Sequence, residues 1–169
     1  MHVRLEHTIN CDVARYWELY FDSAWIQRMF LEGLGYSQCE VQPAVEIPDG
    51  LSRSLRMTPK LNLPDVVGRA LGRSLAVSED GRFSRSTSTW TWQQRPSVLA
   101  DKITIKGTVQ AEPLEPGRCR RISEVTIEAR LFGIGGLVER AAESNVRRGV
   151  DDSAAWINRD LAKNSQPAS

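Results

Sequence analysis

The feature that most constrains this chain is a change of pattern near Arg130. "DKITIKGTVQAE" and "RCRRISEVTIEAR" alternate residue by residue: Ile103, Ile105 and Val109 oppose Lys102, Thr104, Lys106 and Thr108, and Val125, Ile127 and Ala129 oppose Glu124, Thr126, Glu128 and Arg130. That period of two marks half-buried strands. After the glycines of "LFGIGGLVER" no strand-like run returns, and one helical pattern extends from about Leu137 to Lys163. Such a helix spans on the order of 40 Å at 1.5 Å per residue. Its inner stripe is Leu137 or Val138, Ala141, Asn145, Gly149, Ala154, Ile157 and Leu161. An antiparallel sheet must cover that stripe, and its middle is small. Gly149 costs about 1 kcal/mol against alanine in a helix interior, so close sheet approach, a kink or room for a ligand should offset it.

Earlier runs supply the rest of the sheet. "HVRLEHTI" alternates, with Val3, Leu5, His7 and Ile9 on one face. Asn10 or Asp12 then caps a helix carrying Val13, Tyr16, Trp17 and Tyr20. Asp22-Ser23 caps a second short helix, closed by Gly33 or Gly35. "YSQCEVQP", "LSRSLRMT", "LAVSED" and "RFSRSTSTWTWQQ" read as strands, with turns at "IPDG", Asp80-Gly81 and "EPG". In "LSRSLRMT" the apolar set Leu51, Leu55 and Met57 has Arg53 as its exception. Thr58 to Arg73 fits neither period. It holds two prolines, the apolar residues Leu61, Leu63, Val66, Val67, Ala70 and Leu71, and a local excess of Lys60, Arg69 and Arg73 over Asp65. One α+β domain over residues 1–163, with about seven strands and a disordered tail at 164–169, follows.

The glycines from Gly133 to Gly136 raise a phosphate loop, since backbone N–H groups between strand and helix can hold an anion. A P-loop ends in Gly-Lys-Ser/Thr, and a Rossmann loop opens a parallel unit with Gly-x-Gly-x-x-Gly. Neither occurs here, so a structural corner is expected, with no nucleotide and no other cofactor. Cys11, Cys39 and Cys119 are scattered and His2 and His7 face opposite sides of a strand, which argues against a disulfide framework or a metal site. His7 reads as a core histidine, with a general base as the alternative. A net charge of +1 gives no global attraction to nucleic acid, and no aromatic platform is interleaved with a basic stripe. Arg118, Arg120 and Arg121 cluster at a strand start, as a small anion patch or as solvated side chains. Reduced thiols and the absence of a secretory signal or a membrane-length apolar run lead to an expected cytoplasmic location.

The order of strand, two short helices, meander and long terminal helix resembles the helix-grip fold of the START and pollen-allergen superfamily. The stretches "VRLEHTINCDVARYWEL", "LEGLG" and "CRRISEVTIEARLFGIGGLVER" are similar to a bacterial family of unknown function within it. The resemblance implies a curved sheet wrapped on the C-terminal helix, with a cavity between them. "LSRSLRMTPKLNLP", "STSTWTW" and "RLFGIGGLVE" also resemble PRELI-type phospholipid-transfer domains, which implies a lid over Thr58 to Arg73.

The candidate ligand-binding residues are therefore His7, Trp17, Met57, Trp90, Trp92, Val109, Ile127, Leu137, Ala141, Asn145 and Gly149. Trp90 and Trp92 share one strand face and serve either core or cavity wall. Asn145 is the polar group expected to face the ligand. Lys60, Leu61, Leu63, Val67, Arg69 and Arg73 are the candidate lid and transient membrane contact, against a packed connector. The function expected is binding, or transfer, of a hydrophobic or amphipathic molecule such as a lipid. A small cyclase, dehydratase or hydrolase acting on a hydrophobic substrate in the same cavity is the alternative, and a filled-core interaction module is a third.

Overall fold

A computed structural model describes residues 1–72 and 75–164. Eight strands, β1 (His2–Ile9), β2 (Gln38–Val41), β3 (Val45–Ile47), β4 (Gly50–Thr58), β5 (Val77–Ser84), β6 (Thr89–Pro96), β7 (Ile103–Glu115) and β8 (Arg118–Ala129), form one antiparallel sheet. Its order is β1-β8-β7-β6-β5-β4-β2, with β3 also on β4. The helices are α1 (Val13–Phe21), α2 (Ser23–Arg28), α3 (Asp65–Leu71) and α4 (Gly135–Asn164), with a π-helical turn at Met29–Gly33.

Local chemistry accounts for these boundaries. Asp12 caps α1 by accepting from the Arg15 amide at 2.8 Å, and Asp22 caps α2 by accepting from the Trp25 amide at 2.9 Å. Gly35 and Gly133 adopt positive φ, which releases the chain from the π turn and from β8. The corner before α4 is closed by backbone hydrogen bonds and tight packing. Gly135 donates to the Leu131 carbonyl, Val138 to that of Ile134, and a Cβ on Gly135 would sit 2.6 Å from the Ala129 carbonyl oxygen.

The C-terminal half of α4 is firmly seated. Asp160 accepts from the Trp25 indole at 2.8 Å and pairs with Arg28 at 2.6 Å, and Trp156 meets Trp25 edge-on. Gly33 lets the π turn pass Trp156, because a Cβ there would lie 2.7 Å from the indole. Between α1 and the sheet, Tyr16, Trp17, Tyr20, Phe21, Phe83 and Trp90 form a continuous aromatic cluster.

Three details differ from the sequence reading. The sheet has eight strands, because the three-residue β3 after Pro43 was too short to show a period. Asp80-Gly81 is not a turn: both residues lie inside β5, and the reversal comes at residues 85–88, where Ser88 has φ 50°. Glycine is required at 81 because the Trp90 ring lies across it. A Cβ there would be 1.9 Å from the ring. α4 runs through Asn164, one residue into the expected tail. The remainder of that tail, 165–169, and Arg73 lie outside the described residues.

Replacing Gly81 with alanine should therefore destabilise the protein by about 1–3 kcal/mol, the usual penalty for overpacking. Gly136→Ala, whose Cβ would meet only the flexible Arg140 side chain at 3.9 Å, should be neutral or stabilising. Urea denaturation of both variants reads this. Equal midpoints would show that Trp90 does not occupy the space above Gly81.

Candidate functional site

Along its N-terminal half α4 fills the groove of the sheet only in part: Val138, Ala142 and Val146 touch the strands, and space remains beside them. That space is a cavity of about 220 Å³. Its walls come from the inner faces of β4 to β8, from α1 and the π turn, and from Val138, Ala142, Asn145, Val146, Gly149 and Ser153 of α4. The segment between β4 and β5 covers it. Pro59, Leu61, Leu63, Val67 and Leu71 all line the cavity, and Val67 and Leu71 pack with Ile103 and Val138.

Asn145 fastens this cover. Its Oδ1 accepts from the Asn62 amide at 3.0 Å, and its Nδ2 donates to the Asn62 carbonyl at 3.0 Å. The side-chain amide thus pairs with one residue of extended backbone as a neighbouring strand would. Nδ2 also donates to the Ala141 carbonyl, and Arg148 donates to Oδ1. Asn145 lines the cavity, but its amide is committed to the cover instead of being free for a ligand head.

Of the residues singled out in the sequence, Met57, Trp92, Val109, Asn145 and Gly149 meet at the cavity, together with Leu61, Leu63 and Val67 of the cover. The others do not line it. Trp90, Trp17 and Ile127 are solid core, the first two inside the aromatic cluster. Leu137 is 41% exposed because Val138 takes the inward position. Ala141 is buried, and Ala142 beside it faces the cavity. His7 sits away from the cavity, with its Nε2 2.8 Å from Asp151 Oδ1. Lys60 and Arg69 are exposed and do not line the cavity.

Sequence reasoning missed the polar part of the wall. Arg53, Glu79 and Arg121 are 4%, 7% and 5% exposed, and all three line the cavity. Arg53 lies over the faces of Tyr20 (4.8 Å) and Trp90 (5.0 Å) and donates to the Tyr20 carbonyl. Glu79 accepts from Gln94 at 2.8 Å. Burial pushes its carboxyl upward, opposed by the Gln94 hydrogen bond and by the charge of Arg53. The signal was present as strand parity. Arg53 interrupts the apolar face of β4, Glu79 follows Val77 at a spacing of two, and Arg121 shares a face with Cys119, Ser123 and Val125. Arg121 is thus separated from Arg118 and Arg120, which are exposed and paired with Glu115 and Glu112.

Curved sheet, long gripped helix and the cavity between them define a helix-grip fold. The chain belongs to a family described as a protein of unknown function, DUF2505, whose model matches residues 4–160. No curated protein matches the chain. Among solved structures it is similar to the ZhuI aromatase/cyclase of Streptomyces sp. R1128, at 14% identity and a TM-score of 0.71, covering 100% of this chain and 98% of that one. It is similar to a START superfamily protein of Mycobacterium smegmatis, at 10% and 0.64, covering 94% and 97%. It is also similar to norcoclaurine synthase of Thalictrum flavum, at 12% and 0.63, covering 99% and 89%. These likenesses establish the fold. Among the described residues no helix is long and apolar enough to cross a membrane.

The environment of Glu79 predicts a pH signature. A carboxyl whose folded pKa is raised favours the folded state fully below its unfolded value, near 4.5, and loses that contribution as pH rises through the folded value. Glu79→Gln keeps an acceptor for Gln94 and removes the titration. The stability of this variant relative to the parent should be flat below about pH 4 and grow as pH rises above 4.5. The gain should level off once pH passes the raised folded value. Chemical denaturation at a series of pH values checks this, and a difference independent of pH would contradict it.

Proposed function

We propose that the protein binds a compact hydrophobic or amphipathic molecule in the cavity between the sheet and α4. The observation that carries this reading is a partly open space under a latched cover, walled chiefly by aliphatic and aromatic side chains with a few buried polar groups. That combination is how small-molecule sites are generally built. Size narrows the class. A dry cavity of about 150 Å³ is enough for benzene, and drug-sized ligands occupy roughly 300–1,000 Å³. At 220 Å³ the closed form suits one or two rings or a short acyl chain. A two-chain lipid would require displacement of the cover. Transfer of apolar surface from water, at about 25 cal/mol per Å², supplies the affinity.

Gly149 supports the same reading. A Cβ there would meet only the Tyr36 hydroxyl, at 4.0 Å. Neither close sheet approach nor packing calls for glycine at this position, so the propensity it gives up leaves cavity space. One observation favours an enzyme as a second reading: Glu79 is a carboxyl held toward its neutral, proton-donating form inside the cavity. The two differ in outcome, since an enzyme returns an incubated ligand altered in mass and a carrier returns it unchanged.

Native mass spectrometry of the purified protein tests binding directly. A small hydrophobic adduct is expected, and 2-naphthamide, a neutral two-ring probe, should bind with a 1:1 stoichiometry. A bare mass together with no probe binding would overturn the proposal. Gly149→Ala should raise thermal stability by up to about 1 kcal/mol and weaken probe binding. A variant that is more stable and binds unchanged would remove Gly149 from the site. Asn145→Ala deletes two hydrogen bonds to Asn62, each worth about 1 kcal/mol. Amide exchange of residues 61–63 should then accelerate by roughly tenfold or more, and unchanged exchange would show that the latch does not hold the cover.

A further inference from the structure

The cavity carries an unbalanced charge. Arg53 and Arg121 both line it and, among the described residues, Glu79 is the only carboxylate that does so. Neither arginine has a carboxylate within 4 Å among the described residues. Guanidinium does not deprotonate in proteins, and a buried charge without a partner is expensive. Arg53 is partly compensated by the two aromatic faces it lies on, by the Tyr20 carbonyl and by the nearby Glu79 carboxyl. Arg121 has only neutral partners. Its Nη1 donates to Ser153 Oγ at 3.0 Å and its Nη2 to the Val150 carbonyl at 2.7 Å. Of five guanidinium N–H groups, two are thereby used, and the buried Nε has no acceptor.

The groups around Arg121 are donors as well. The Tyr16 hydroxyl is buried, has no hydrogen-bond partner, and belongs to the cavity wall. Burial pushes it up to about 12, with the charge and the close approach of the Arg121 guanidinium pulling part of that rise back, so its own proton stays on and lacks an acceptor at physiological pH. Ser123, 4% exposed, follows Arg121 along the same face of β8 and lines the cavity too. Unused N–H and O–H groups thus gather about a lone cation at one end of an apolar space.

We propose that the ligand is an anion, an apolar body bearing a carboxylate, and that Arg121, with Tyr16 and Ser123, forms the pole that receives its charge. This rests on the reading of the cavity as a ligand site and names the ligand's chemical class. A carboxylate offers acceptors only, which matches a pole made of donors, and it neutralises the guanidinium through charge-assisted hydrogen bonds. Arg121 stays held by Ser153 and Val150, so the pole is organised before the ligand arrives.

The test compares two probes of nearly equal shape, 2-naphthoate and 2-naphthamide, by isothermal titration calorimetry at pH 7.5. Naphthoate should bind at least tenfold more tightly. Arg121→Met should bring the affinity ratio close to one, and Tyr16→Phe should lower it in part. In the unaltered protein the Arg121 Nε–H NMR resonance should shift with naphthoate and not with the amide, which keeps the pole testable if Arg121→Met fails to fold. Binding of the amide with no preference for naphthoate would overturn the anionic pole and leave the cavity reading standing. A preference that survives Arg121→Met, or an Nε–H signal indifferent to naphthoate, would remove Arg121 from the role. If neither probe binds, the cavity reading fails and the pole with it.

Discussion

Everything distinctive in this molecule depends on how unevenly α4 fills the groove of the sheet. From Ala154 onward the helix is solid against its surroundings, with Trp156 and Ile157 buried and Asp160 clasped by Trp25 and Arg28. Over the preceding four turns its inward residues are Val138, Ala142, Asn145, Val146, Gly149 and Ser153, which touch the strands in places but are too small to fill the groove. One end of the helix is anchored and the other leaves space beside it. The sheet cannot collapse into the gap, because its own curvature is propped by the aromatic cluster between α1, Phe83 and Trp90. Apolar cavities are normally destabilising, by an amount that grows with their volume. A cavity that persists in the fold, covered and latched, points to a use for the space.

The cover is tied down in two chemically different ways. Val67 and Leu71 insert apolar side chains beside Ile103 and Val138, while Asn145 pairs with the backbone of Asn62. The first contact is non-directional and tolerates sliding. The second has fixed geometry and is broken by one side-chain rotation. A cover of this design closes firmly and opens locally, without disturbing the clasp at the far end of α4.

Strand parity made most of the architecture legible. Alternation located the long strands, Asp22 stood out as a cap and Asp12 shared that reading with Asn10, and the change of period after Arg130 marked the helix. What parity could not do was separate filled core from cavity wall, because both lie on inward faces. Met57 and Val109 border the space while Ile127, on an equally apolar face, is packed solid. That difference depends on the reach of residues across the gap, which no single strand records. Gly81 was misread for a related reason: a glycine in a strand can mark a turn or the seat of an aromatic ring, and the ring of Trp90 comes from the next strand. The polar wall was the converse case. Arg53, Glu79 and Arg121 each break an inward apolar face, and such off-pattern charges were the clearest sequence signal of the site.

The central claim is that a ligand occupies the space between sheet, cover and hollow half of α4. Intermolecular NOEs from a bound two-ring probe to methyl-labelled protein test it most directly. The account predicts simultaneous contacts to Leu61 or Leu63 of the cover, Ile105 or Val109 of the sheet, and Val146 of α4. A bound probe that contacts only outward-facing residues, or none of these three groups together, would contradict it.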